Sequence, residues 1–263
     1  MTDGDTISSI LSSYANVNSP TSLQIYFVFF VDQSPFLESP SQTNLNMTQN
    51  RYSDADRAAV YRAIYERRDM RHFLSDPIDP EILTRLLDAA HHAPSVGFMQ
   101  PWRFIRISCP DLRKAIHGLV EQERIRTAKA LNEREDEFMK LKVEGIMECP
   151  VVLVAALCER RDQYIFGRRT LPEMDLASLA CAIQNMWLAA RAEGLGLGWV
   201  SMFEPEALKN LLNMPGDSQP IAVLCLGHVD KFYDKPMLEQ ERWADRKDLS
   251  TLIFENAWNM PCR

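Results

Sequence analysis

The sequence predicts a fold of the α+β or α/β class built on one central sheet. Stretches with helical hydrophobic spacing outnumber strand-like ones, and helices separate the strand-like stretches. One of these, Val151 to Leu157, is short and apolar without a break, as a strand buried on both faces requires. With 263 residues, 46% hydrophobic and 25% charged, the chain can bury a core of its own.

Residues 1–50 are rich in Ser, Thr, Asn and Pro and hold no Lys or Arg, which predicts a disordered extension ahead of an ordered domain at 51–263. The apolar run Leu23 to Val31 falls short of the roughly 20 residues that span a bilayer. It also lacks the positive region that precedes a secretory signal, so no membrane partner and a cytoplasmic location are expected. Met47, just before the regular pattern, is a candidate for the true start.

Ser53 and Asp56 resemble a capping box, followed by an apolar stripe of Val60, Ala63 and Ile64. Asp79-Pro80 opens a second helix that buries Ile82, Leu83, Leu86, Leu87 and Ala90 and stops at Ala93-Pro94. A loop to Trp102 leads into a strand around Phe104, Ile105 and Ile107. Residues 111–148 read as helical, and the charged part, 121–142, as a surface or mobile cover. The helix 175–193 is apolar on more than one face, which predicts burial centrally or in a subunit interface. Gly194 ends it. A strand at 197–201, a short helix at 205–212, a core strand at 221–226 and a wrapping tail at 232–263 complete the chain.

A net charge of −7 argues against nucleic acid as a partner. The six cysteines (109, 149, 158, 181, 225 and 262) form no C-x-x-C pair, which predicts a reducing compartment with neither disulfides nor a zinc site. His91 and His92 are adjacent, so they face apart on a helix and make a poor metal pair; no metal is expected. The chain has no G-x-G-x-x-G, G-x-S-x-G or P-loop motif.

Chemistry concentrates at four polar stations. Arg67-Arg68-Asp69-Met70-Arg71 sets three guanidinium groups and one carboxylate within five residues, a natural anion cradle. The others are the 94–102 loop, the turn at Gly198 to Ser201, and Arg246. Glycines 194, 196 and 198 either let backbone N–H groups approach a planar ligand or mark only a helix cap and a tight strand start.

In this order the stations resemble the nitroreductase flavoprotein superfamily. Its early Arg-Arg-Ser-x-Arg element, A-P-S-x-x-N-x-Q-P-W loop, Gly-rich strand and late basic residue read here as 67–71, 93–102, 196–201 and Arg246. The resemblance spans about 53–258. It implies an α+β three-layer fold with a central mixed sheet flanked by helices, in an intertwined homodimer. It implies that Arg67, Arg68, Arg71 and Arg246 hold an FMN phosphate, with Met70 in the same element. The backbone of Gly198, Trp199 and Val200 would face the isoalloxazine ring, and Ser95 and Gly97 would lie against its other parts. Two departures, Asp69 for Ser and Phe98 for Asn, are similar to the branch that destroys flavin. That branch consumes reduced FMN (FMNH2) and O2 and yields 5,6-dimethylbenzimidazole, the lower ligand of vitamin B12, with erythrose 4-phosphate. The resemblance then implies that FMN is a substrate, supplied reduced by an NAD(P)H-dependent flavin reductase, that Asp69 is a base beside the ribityl chain, and that Ser201 bonds near the ring's reacting edge. The 121–142 segment becomes a lid. The alternatives are an NAD(P)H-dependent nitroreductase or flavin reductase that keeps its FMN, and a non-catalytic flavin-binding protein.

Overall fold

Helix α1 (Asp54–Glu66) starts where the sequence predicts. The Ser53 hydroxyl accepts the Asp56 N–H and donates to the Asp56 carboxylate, so the box closes through side chains. These details come from a computed structural model that describes residues 50–258 and Met260. The expectations for the N-terminal extension and for Met47 lie outside the described residues.

Asp79 caps α2 (Pro80–His91) by accepting the Glu81 N–H, and α2 buries Leu83, Leu86 and Ala90. The order then runs β1 (Trp102–Arg106), α3 (Pro110–Ala130), α4 (Glu135–Met139), β2 (Val151–Leu157) and α5 (Met174–Ala192). It ends with β3 (Gly196–Val200), α6 (Pro205–Leu211), β4 (Gln219–Gly227) and α7 (Met237–Gln240). The strands lie in the order β1-β2-β4-β3, and all three pairings are antiparallel. The mixed character expected of the sheet reduces to one parallel bridge, Asp69 with Leu197, because the segment running alongside β3 forms ladder pairing with it only there.

The layers follow from the two-residue period of the strands. Val151, Leu153, Ala155 and Leu157 of β2 pack with Leu83 and Leu86 of α2 and Leu179, Ile183 and Met186 of α5. Val152 and Val154 point the other way, into Ile116 and Val120 of α3 and Leu208 of α6. Helix, sheet and helix therefore form three layers, and β2 is buried on both faces as its sequence requires.

Helix α5 is largely buried within the chain, with Leu179, Ala182, Ile183 and Met186 wholly enclosed, while Leu176 stays exposed and Asp175 is buried and paired with Arg161 and Arg168. Two expectations need correcting. The α1 stripe is uncovered: Val60 and Ile64 are exposed, and α1 buries no residue. Among the described residues α1 meets α5, and of the stripe only Ala63 is half-buried. The charged 121–142 segment is a packed cover, since Phe138 and Leu141 cluster with Ala128 against Trp243. Arg124 fastens it by donating to the carbonyls of Met139 (2.7 Å) and Leu141 (3.1 Å). Among the described residues no helix is long and apolar enough to cross a membrane.

Candidate active site

After α1 the chain runs alongside β3, and the Met70 N–H donates to the Leu197 carbonyl at 3.0 Å. The extended backbone there sends alternate side chains opposite ways. Arg67, Arg68, Asp69 and Arg71 line a cavity of about 360 Å³, together with Trp199, Val200 and Ser201 at the end of β3. Met70 points into the core, 1% exposed. Phe138, Leu141 and Val143 from the cover and Leu238 and Trp243 from the tail supply the apolar wall.

Gly196 and Gly198 make this arrangement fit. A Cβ at Gly198 would run into the Met70 carbonyl, and one at Gly196 would run into Val229 Cγ1 and meet the Met70 side chain at about 3 Å. Both glycines therefore serve the approach of the chain's own arginine segment, and Gly194 (φ +78°) serves the helix end. Of the two explanations the sequence left open, the helix cap with a tight strand start accounts for all three. Met70 and Gly198, expected at the flavin, lie beneath the cavity wall and do not line it.

The three arginines of the cluster have separate duties. Arg71 holds Asp69 bidentately, Nη1 to Oδ1 at 2.5 Å and Nη2 to Oδ2 at 2.6 Å. It also donates to the carbonyls of Trp199 (2.9 Å) and Met70 (3.1 Å). The Trp199 N–H adds a third bond to Asp69 Oδ1, at 2.9 Å. Asp69 is thus fixed in direction, yet its side chain keeps 43% of its surface open. The Arg68 guanidinium donates to four carbonyls, those of Tyr65, Arg67, Tyr233 and Asp234, so it staples the end of α1 to the tail. Four of its five N–H donors are thereby engaged, while the side chain still lines the cavity where the phosphate is expected.

Arg67 differs from both. Its guanidinium lies 4.5 Å over the Trp187 ring and makes no hydrogen bond or ion pair among the described residues. Burial lowers its pKa first; Asp69 opposes that, and the charges of Arg68 and Arg246 lower it further. A half-buried guanidinium without a hydrogen-bond or ion-pair partner among the described residues, flanked by other cations, is suited to an anionic ligand. Arg246 is close enough to be felt at Arg67 but is exposed and does not line the cavity.

Ser201 lies exposed at the cavity rim. Ser95 and Gly97 do not reach the cavity within one chain. Their turn sits at the start of α5, where the Val96 N–H donates to Ser178 Oγ at 3.0 Å and Gly97 packs on the Phe166 backbone. Nine residues separate Ser178 from Trp187, which is roughly 13 Å along the helix. The sequence also gave no sign of Tyr233, whose hydroxyl accepts the Arg71 N–H (3.2 Å) and meets His72 Nδ1 (2.7 Å). The apolar wall was hidden too, because its residues come from two segments without shared periodicity.

Replacing Arg68 by Ala should lower the unfolding free energy by about 2 kcal/mol, since four carbonyls lose a charged donor. Arg67→Ala, which removes only the ring contact, should cost about 1 kcal/mol. Urea midpoints of the two variants check this, and equal losses would contradict the division of roles.

Residues 64–228 match the family model described as the Nitroreductase family. A 5,6-dimethylbenzimidazole synthase of Rhodospirillum rubrum is 41% identical over 187 residues, covering 69% of this chain and 87% of that protein. One of Rhodobacter capsulatus is 37% identical over 198 residues, covering 74% and 95%. Among solved structures, oxidised iodotyrosine deiodinase bound to FMN and 3-iodo-L-tyrosine superposes with a TM-score of 0.58 at 20% identity, over 76% of this chain and 98% of that one. That likeness concerns the fold. With the layers, the arginine segment and these matches agreeing, the chain belongs to the nitroreductase family of enzymes and groups there with the proteins named 5,6-dimethylbenzimidazole synthase.

Proposed function

We propose that this protein fragments reduced FMN with O2, releasing 5,6-dimethylbenzimidazole and erythrose 4-phosphate. The observation that carries the reading is a carboxylate, Asp69, clamped on the wall of a cavity whose nearest free cation is Arg67. The residues suit an FMN. Its phosphate would pair with the guanidinium of Arg67, with Arg246 at hand in the tail. Trp199, Phe138 and Leu141 offer apolar surface for a planar ring, and the volume falls within the usual span of small-molecule sites.

Bound as substrate, the reduced flavin supplies the ring that reacts with oxygen and the ribityl carbon that enters the product. The protein's part is positional and protonic. Asp69 accepts a proton from that carbon, since it is acceptor-only when ionised and cannot turn away from Arg71 and the Trp199 N–H. Ser201 donates a hydrogen bond at the edge of the ring. The wall of Phe138, Leu141 and Val143 excludes water, the role expected of a lid.

The working form in this reading is a homodimer. Ser95 and Gly97 stand at the far end of α5 from Arg67, so a second copy is needed to bring them to a flavin. The bare α1 stripe and Phe98, 82% exposed, are the surfaces such a copy would cover. Reduced flavin comes from a separate NAD(P)H-dependent reductase, and the enzyme works in the cytoplasm.

The test is to incubate the full chain with chemically reduced FMN in air and separate the products by chromatography. A benzimidazole appearing as flavin disappears is expected. Intact oxidised FMN as the sole product would overturn the proposal, and rapid NADPH oxidation with a nitroaromatic would indicate a flavin-retaining reductase.

A further inference from the structure

On the outer helix layer, α3 carries His117 and Glu121 one turn apart, and therefore on one face. Glu144, from the segment after α4, meets them, and each of the three presents a ligand atom within 4.8 Å of the other two. Glu144 is only 8% exposed. Its Oε2 accepts the Ile146 N–H at 2.5 Å, which fixes the direction of the carboxylate. Its Oε1 finds no hydrogen-bond donor among the described residues. His117 Nε2 is nearest at 3.7 Å, beyond hydrogen-bond range.

Glu144 is mostly buried and fixed in direction, and Glu121 sets a second carboxylate alongside, so a cation between them would offset two neighbouring negative charges. Arg124 reaches Glu121 at 3.3 Å, but its other arm is committed to the carbonyls of Met139 and Leu141. The spacing that is too wide for a hydrogen bond suits an ion between the groups. Two ligands each about 2.1 Å from a tetrahedral metal stand about 3.4 Å apart.

The geometry points to a binding site for one divalent first-row transition ion, of the Mn2+, Fe2+ or Zn2+ class, held by His117 Nε2 and the carboxylates of Glu121 and Glu144, with water completing the shell. One imidazole with two carboxylates is a ligand set for that class, and the Ile146 N–H acts as the outer partner that aims Glu144. The ion would tie the segment after α4 to α3. That segment carries Leu141 and Val143 of the cavity wall, so the site is structural and distinct from the flavin cavity. Spacing along the chain does not signal the site, because Glu144 lies 23 residues beyond Glu121.

The experiment is a titration of the metal-free full chain with Mn2+, following free ion by electron paramagnetic resonance. One saturable ion per chain is expected, together with a higher melting temperature. Glu144→Gln retains an acceptor for the Ile146 N–H and is close to isosteric, and His117→Ala alters a partly exposed helix position. Removing an outer partner alone weakens metal sites tenfold or more, so each variant should bind Mn2+ at least about tenfold more weakly. Both should melt like the wild type in EDTA. Absence of a saturable one-per-chain site would overturn the proposal, and so would binding that both variants leave unchanged.

Discussion

Asp69→Asn should reduce benzimidazole formation at least about 100-fold, the low end of what a positioned base contributes. The substitution is nearly isosteric. An Asn Oδ1 still accepts the Trp199 N–H and one Arg71 donor, while its Nδ2 faces the second Arg71 donor. One charge-assisted bond is lost, at a cost of about 1–2 kcal/mol in stability, discounted because Asp69 is partly open to solvent. Arg67 is untouched, so reduced FMN should bind within a few fold of the wild type. The split between binding and turnover is the signature. Product yield equal to wild type would remove Asp69 from the chemistry, and parallel loss of binding would make it a site-building residue.

Gly198→Ala should cost about 2–3 kcal/mol in stability, the upper part of the range for overpacking a well-filled site. The new methyl meets the Met70 carbonyl and Arg71 Nη1, and backbone cannot rotate aside as a side chain does. Relief requires the 69–71 segment to move off β3, which breaks the Met70 N–H to Leu197 bond and shifts the carboxylate of Asp69 with it. Flavin binding and product formation should fall together here, unlike in Asp69→Asn. Gly216→Ala, where an added Cβ meets nothing within 4 Å, is the control. Equal urea midpoints for the two alanine variants would show that the close approach at Gly198 is not needed.

What the sequence made legible was whatever depends on local spacing. The caps of α1 and α2, the doubly buried β2 and the Gly194 stop are encoded within a few residues of where they act. The cluster at 67–71 was legible as charge for the same reason. Its division of labour was not, since Arg68 is occupied by carbonyls at Tyr233 and Asp234, far along the chain. Glycine spacing at 194–198 could not say whether a ligand or the chain's own backbone came close; the Met70 carbonyl decides it. The turn at Ser95 and Gly97 was recognised as a motif, but its distance from Arg67 along α5 is a tertiary fact, as is the lack of cover over Val60 and Ile64.

A flavin labelled with 13C at the ribityl C1′ tests the central claim most directly. Presented in reduced form to the full chain in air, it should deliver the label to the carbon between the two nitrogens of the benzimidazole, read by mass spectrometry and NMR. Label recovered only in intact, reoxidised FMN would mean that the clamped carboxylate beside Arg67 does not open the flavin.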